Sequence, residues 1–434
     1  MLNMRPKQSQ SRNINNTQSK GFSRSPVAIE LSACLIVKNE EQRLPQCLES
    51  LRSLADEIIV VDTGSSDRTI AIAKKYQARV FHFQWCDDFS QARNYAIAQA
   101  KGKWILVIDA DEVLEQSAIA LLQEVMQRDD CLAVNLLRSE IGAKQAPYSL
   151  VLRLFRNHPA IRFTGIYHES IDQSVLALQA QASHWQVINI EIPVLLHYGY
   201  TDSEIQLKHK YQFAKQLMYK HLESFPEDSY MLNKLGALYI SSDQESDRSL
   251  GIELLNKGLE LLELELELTG DRDQQKLIRC ELLYHLGLAY EKNADWELAK
   301  AAYAKVIVLD VPNLVKLSAY LNLGNIYQEL HQQEAIAYFE KVIEIAPDFA
   351  QGYFNYGIAL KTSGRFTEAI AAYQKAIFLE PDYAEAHQNL GVVLMKVGYF
   401  PEAIAAFTRA IQLHEQQHNY ETAEILRSAL NDFQ

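Results

Sequence analysis

An apolar run beginning at Trp104 ends in three carboxylates, Asp109, Asp111 and Glu112, with one small residue, Ala110, between the two aspartates. A second apolar run, Glu57-Ile-Ile-Val-Val-Asp62, also ends in a carboxylate. Acids grouped at the carboxyl ends of buried strands lie where open α/β sheets bind ligands. Clustered oxygen donors suit a hard divalent cation such as Mg2+ or Mn2+, and that cation suits a diphosphate. Further along, Arg162-Phe-Thr-Gly-Ile-Tyr-His-Glu-Ser170 sets a glycine and an aromatic beside the ionisable pair His168 and Glu169. His197 follows an apolar stretch.

The elements that must hold these residues are readable from pattern. Leu31-Ser-Ala-Cys-Leu-Ile-Val37 is a continuous apolar run of strand length. Leu44, Leu48, Leu51 and Leu54 then recur at helical spacing. After Asp62 comes a Thr-Gly-Ser-Ser-Asp turn that caps a helix to about Tyr76, then a short strand over 78–83 and a helix from Phe89 stopped near Gly102. Alternating strand and helix predict a largely parallel sheet with Asp62, Asp109 and Asp111 on its ligand edge. From Cys131 the pattern is strand-rich, with runs at 132–137, 151–155, 187–192 and 194–198.

Beyond Ile205 no strand run appears. Residues 347–380 and 381–414 align position for position, with Gly357 and Gly391, Ala369 and Ala403, and Tyr373 and Phe407 coinciding. Residues 312–346 fit with one deletion, and looser units surround Gly236 and Gly287. A 34-residue period with small and aromatic residues at fixed places is that of a tetratricopeptide solenoid of paired helices. Asn322, Asn355 and Asn389 each precede a repeat glycine by two residues, a position for packing or for lining a groove. Leu261 to Leu268 alternates with Glu, and within a helical array it reads as a helix overrunning its repeat. The expected division is a disordered, acid-free tail (1–28), an α/β domain (29–200), a connecting helix (201–228) and the solenoid (229–434).

A net charge of −13 argues against nucleic acid or an anionic membrane as partner. The five cysteines are scattered and odd in number, which fits reduced thiols in a cytoplasmic protein rather than a disulfide framework. Leu31-Ser-Ala-Cys34 imitates a lipoprotein cleavage site, but Arg24, Pro26 and Glu30 stand where its apolar segment belongs. No apolar run reaches the roughly 20 residues that span a bilayer.

Four ordered motifs carry a resemblance: Leu35-Ile-Val-Lys-Asn-Glu-Glu41, Val60-Val-Asp-Thr-Gly-Ser65, Trp85-Cys-Asp-Asp-Phe-Ser-Gln-Ala-Arg-Asn94 and Asp109-Ala-Asp-Glu112. Together they make the N-terminal half similar to family-2 glycosyltransferases, in the subset that carries C-terminal tetratricopeptide repeats. The resemblance implies a GT-A fold, which is Rossmann-like with a mostly parallel sheet, followed by the all-α solenoid. It also implies an inverting hexosyl transfer from a nucleotide-diphosphate sugar, with UDP the expected nucleotide. Asn39 and Glu40 would line the nucleotide pocket, Asp62 would accept from the base, and Arg93 would lie near the base or diphosphate. Asp109 would face the ribose and metal, and Asp111 would bind the Mn2+ or Mg2+, with His197 completing the shell. Glu169, partly desolvated beside Tyr167, is the expected base toward the acceptor. The repeats would hold a protein acceptor or a partner.

The Q-x-x-R-W motif of membrane polysaccharide synthases is absent, so a processive polymerase is not expected. Two other classes compete. An interaction scaffold with an inert transferase domain would have no reason to keep Asp62, Arg93 and the acid cluster. A nucleotidyltransferase would want a glycine-rich phosphate loop where Lys38-Asn-Glu-Glu41 stands.

Overall fold

The computed structural model describes residues 29–143, 147–199, 204–242, 244–269 and 273–431. The expected tail lies outside them.

The N-terminal half is built on one eight-stranded sheet. Its elements in order are β1 (Leu31–Val37), α1 (Leu44–Leu51), β2 (Glu57–Asp62), α2 (Thr69–Lys75), β3 (Arg79–His82), α3 (Phe89–Ile97), β4 (Trp104–Val107), β5 (Glu112–Leu114), α4 (Ile119–Met126), β6 (Cys131–Glu140), β7 (Tyr148–Arg156), α5 (Asp172–Gln181) and β8 (Gln186–His197). The strand order is β3-β2-β1-β4-β7-β6-β8-β5. β1 is almost wholly buried, and β4 wholly so. Such strands are apolar on both faces because helices cover both. α1, α2 and α4 supply Leu44, Leu48, Ala73, Leu122 and Val125 to one face. α3 and α5 supply Ala96, Ile97, Val175 and Leu178 to the other. Asp88 starts α3 by accepting from the Gln91 amide at 3.1 Å, an N-cap that fixes where Arg93 falls on the helix.

The expected parallel sheet holds for β3, β2, β1 and β4. Past β4 it changes: β7 runs antiparallel to β4 and to β6, and β5 antiparallel to β8, while β6 and β8 are parallel. The two runs read as separate strands at 187–192 and 194–198 form the single strand β8. It passes through Pro193 with irregular register against β6, which accommodates a residue lacking an amide donor. The outcome is functional: β8 ends with His197 opposite Glu140 on one side and Glu112 on the other.

The C-terminal half is helical: α6 (Glu204–Ser224), α7 (Ser229–Ile240), α8 (Glu245–Thr269), α9 (Asp273–Lys292), α10 (Trp296–Ile307), α11 (Asn313–Glu329), α12 (Ala335–Ile345), α13 (Ala350–Thr362), α14 (Phe366–Leu379), α15 (Ala384–Val397), α16 (Phe400–Gln416) and α17 (Tyr420–Asn431). From α7 the helices pair into hairpins through α15 and α16, and α17 packs against the last. The Leu/Glu alternation after Leu261 lies inside the long α8, as a helix overrunning its repeat. Repeat glycines let aromatics approach: a Cβ on Gly324 would stand 2.6 Å from the Phe339 ring, and one on Gly357 the same distance from Tyr373. Asn322 and Asn355 are buried, donating to the Tyr303 hydroxyl (3.0 Å) and to Asn325 Oδ1 (2.9 Å). At these two positions the repeat asparagines pack rather than line a groove.

The solenoid does not hang free. Tyr167, from the loop before α5, packs against Ala214, Met218, Met231, Leu235 and Tyr239 of α6 and α7. Tyr148, opening β7, packs against the cluster formed by Leu317, Leu321, Phe339 and Ala359.

Candidate active site

The turn after β4 is built by its own third acid. Glu112 is fully buried, its Oε2 accepts from the Asp109 amide at 2.9 Å, and its own amide donates to the Asp109 carbonyl at 3.0 Å. This closed turn leaves Asp109 and Asp111 projecting while Glu112 points inward to Arg138 Nη1 at 2.8 Å.

Two charge groups grow from it. In the first, Arg93 is 4% exposed, donates from Nη2 to Asp109 Oδ1 at 2.5 Å and from Nε to Glu169 Oε1 at 2.7 Å. Arg153 of β7 donates to the other Asp109 oxygen at 3.2 Å. Burial opposes the Asp109 anion, but the two guanidinium groups outweigh it and hold its carboxyl far below the usual range. Each arginine keeps one buried nitrogen, Nη1, with no hydrogen-bond partner among the described residues. Buried donors of this kind are rare unless something is to bind them.

In the second group, His197 Nδ1 meets Glu140 Oε2 at 2.6 Å, and its Nε2 lies 3.5 Å from Asp111 Oδ2. Glu140 takes Arg138 and Ser149 on its other oxygen. Burial alone would depress the imidazole, yet hydrogen bonds to Asp111 and Glu140 push it up to about 9. Burial likewise opposes the Glu140 anion, but His197 and Arg138 hold it down at about 2. Arg43 of the loop before α1 reaches Asp111 Oδ2 at 3.4 Å.

The nucleotide-side residues sit at the ends of β1 and β2. Asn39, with φ of 59°, accepts from the Ser66 amide at 2.8 Å and donates its own amide to Ser65 Oγ, stitching the two loops together. The Glu40 amide donates to Thr69 Oγ1 at 2.7 Å. Asp62 is 2% exposed and accepts from the Gly64 and Ser65 amides at 3.2 and 3.1 Å, so in this conformation it caps the turn. Glu169 has a side chain only 7% exposed and is paired with the Arg93 cation, a neighbour the sequence pattern does not reveal. Sequence reading missed Arg43, Arg138, Glu140 and Arg153. Arg138, Glu140 and Arg153 arrive by strand pairing at long range, and the only available hint was a charged residue inside an otherwise apolar strand run.

Among the described residues no three His, Cys, Asp or Glu side chains converge as a protein-only metal cage. Asp111 and His197 instead offer an oxygen and, once a cation displaces the imidazolium proton, a ring nitrogen, the latter oriented by a carboxylate behind it as in metal-binding histidines. That donor set fits a divalent cation sharing its shell with a diphosphate and water, the usual habit of Mg2+ in such sites.

A half-parallel sheet with acids on its carboxyl edge, joined to a repeat solenoid, defines a transferase-type α/β domain with an interaction array. The model of the family described as glycosyl transferase family 2 matches residues 32–188, and tetratricopeptide-repeat models match 281–309, 315–377, 359–398 and 384–424. A TPR repeat-containing protein of Synechococcus elongatus is 40% identical over 303 residues, 70% of this chain and 72% of its own length. The prophage-derived glycosyltransferase SunS of Bacillus subtilis is 29% identical over 232 residues, so this chain spans about half of that relative's length. Among solved structures, the TPR protein YrrB overlaps 49% of this chain and 99% of its own at 19% identity, with a TM-score of 0.38. The chain belongs to the family-2 glycosyltransferases that carry C-terminal tetratricopeptide repeats.

No helix among the described residues is long and apolar enough to cross a membrane. The five cysteines are all free thiols, with Cys34 buried in β1.

Proposed function

We propose that the chain moves a hexose from a nucleotide-diphosphate sugar, with UDP as nucleotide, to an acceptor, with inversion at the anomeric carbon. The observation that carries this reading is the meeting of Asp111 with His197, together with two buried arginine nitrogens that have no hydrogen-bond partner among the described residues. Asn39, Glu40 and the Asp62 turn form the nucleotide end, and Asp109 holds Arg93 and Arg153 in place for the diphosphate. As the bond from the anomeric carbon to phosphate oxygen breaks, negative charge grows on the departing diphosphate. Arg93 Nη1 and Arg153 Nη1 are donors preorganised for that charge and need no reorganisation at the moment of reaction. Asp111 and His197 would hold a Mn2+ or Mg2+, which when bound neutralises charge on the two phosphates. Glu169 takes the proton from the acceptor hydroxyl or thiol as its oxygen or sulfur bonds to the anomeric carbon. Its link to Arg93 fixes the carboxylate's aim, and the second oxygen carries the proton. The repeats hold a protein acceptor or a partner.

The test is thermal shift with UDP in the presence and absence of Mn2+, since a ligand that binds only the folded state raises the melting temperature. Stabilisation by UDP only with metal, lost in Asp111→Asn, is the expected result. An equal UDP shift in chelator, or full transfer by Asp111→Asn, overturns the metal assignment.

A further inference from the structure

Asp111 and His197 come from different elements, the turn after β4 and the end of β8. Backbone hydrogen bonds bring them side by side: the Tyr198 amide donates to the Asp111 carbonyl at 2.9 Å, and the Ile141 amide to the His197 carbonyl at 2.9 Å. Those bonds fix where the two Cα atoms stand. They neither aim the imidazole nor hold closed the acid turn that carries Asp111.

A row of side chains across the sheet does both. In strand register His197 stands opposite Glu112 of β5 on one side and Glu140 of β6 on the other. Arg138, two places before Glu140, shares the same face of its strand. Glu112 holds the turn by accepting from the Asp109 amide. Glu140 holds the ring: its Oε2 accepts from His197 Nδ1, and Nε2 is the nitrogen that lies toward Asp111.

Arg138 joins the two acids. Its Nη1 donates to Glu112 Oε1 at 2.8 Å, while Nε and Nη2 both reach Glu140 Oε1, at 2.9 and 2.8 Å. Ser149 Oγ donates to that same Glu140 oxygen at 2.5 Å. The other Glu140 oxygen is thereby turned to the ring. One planar fork thus spans the acid that shapes the turn and the acid that aims the imidazole. The glycine after Tyr198 leaves the ring its room: a Cβ on Gly199 would stand 2.5 Å from His197 Nε2.

Neutralising Glu112 and Glu140 would not by itself call for this arrangement, since any cation, lysine included, supplies charge. What arginine adds is a rigid set of donors at fixed angles. We propose that Arg138 is the positioning residue of the cation site: through Glu112 and Glu140 it sets the Asp111 carboxylate and the His197 Nε2 in register with one another. The proposal rests on the metal-assisted transfer reading, and in it Arg138 acts only through the two glutamates.

The test measures Mn2+ binding by electron paramagnetic resonance on the full chain with UDP present, well below the melting temperature of each variant. The free-ion signal gives affinity, and pulsed spectra report the nitrogen of a bound imidazole, assigned to His197 by its loss in His197→Gln. Arg138→Lys keeps the charge but not the fork, and Mn2+ affinity is expected to fall about tenfold, with UDP affinity in chelator unchanged. Glu140→Gln asks more. Arg138 can only donate, so it keeps the amide oxygen and turns the NH2 toward the ring. His197 Nδ1 must then accept, the ring hydrogen moves to Nε2, and the nitrogen signal of bound Mn2+ is expected to vanish. Parent-like affinity in Arg138→Lys, or a parent-like nitrogen signal in Glu140→Gln, overturns the proposal and leaves Arg138 a neutralising residue. An equal loss of Mn2+ affinity in Gly324→Ala, which disturbs packing in the solenoid, also overturns it. Should Arg138→Lys not fold, Glu140→Gln alone decides. A parent chain that binds UDP but no Mn2+ strikes the metal assignment itself, and the proposal with it.

Discussion

The two halves handle polar groups in opposite ways. In the transferase domain, charges are carried inside and locked to one another: Arg93 and Arg138 each join two acids, and Glu112 is fully buried. In the solenoid most ion pairs sit on the outside, such as Arg365 with Glu368, and the interior is aromatic rings seated on glycines. Buried charge is expensive, so a domain that keeps it marks where ligand chemistry is to occur. A repeat array gains its stability from shape, one hairpin against the next. The Lys234–Glu281 pair is one place where the solenoid departs from this pattern, with side chains 18% and 34% exposed.

Breaking the transferase rule has the largest effect. Arg93→Met leaves the buried Glu169 without its cation and Asp109 with Arg153 alone, and unfolding by denaturant is expected to register a loss of about 3–5 kcal/mol. Breaking the solenoid rule costs less. Gly324→Ala drives a methyl into the Phe339 ring, with an expected loss of about 1–3 kcal/mol and UDP affinity unchanged. A third measurement probes the solenoid's exception by pH, through His285, which Asn233 links to Glu281. His285 is lowered to about 4 by burial, against an ordinary value of 6.5, so between those values the unfolded chain binds more protons than the folded one. Stability contributed there is complete above about 6.5 and falls as pH is lowered toward 4. Melting curves from pH 7 to pH 5 should therefore slope less in His285→Gln than in the parent. Asp111→Asn should change stability by less than about 1 kcal/mol, its side chain being 23% exposed, yet remove the response of UDP binding to Mn2+. Smallest of all, Arg365→Ala removes an exposed pair and should leave the melting temperature where it was.

What sequence made legible follows the same divide. The repeats announce themselves because each copies the last, and β1, β2 and β4 do so because a strand buried on both faces is a plain apolar run. Asp109, Asp111, Arg93 and Glu169 fall together in space, all from segments singled out by residue type. Arg138, Glu140 and Arg153 were invisible because their roles depend on β6, β7 and β8 pairing across many residues, which no local period records. Asp62 shows a subtler limit. Its place at a strand end is legible, but whether its oxygens face a ligand or the Gly64 and Ser65 amides is decided by a turn geometry that composition does not specify.

The seating of Tyr167 on α6 and α7 bears on how such a chain can be recombined. A cut at the end of the sheet, near residue 200, would strip the floor from the loop that carries Glu169, even though every strand stayed whole. Any graft of foreign repeats should keep the native chain through α7 and change it beyond Ile240. The unit of inheritance for this catalytic domain is thus longer than its sheet, and includes the first helices of what looks like a separate module.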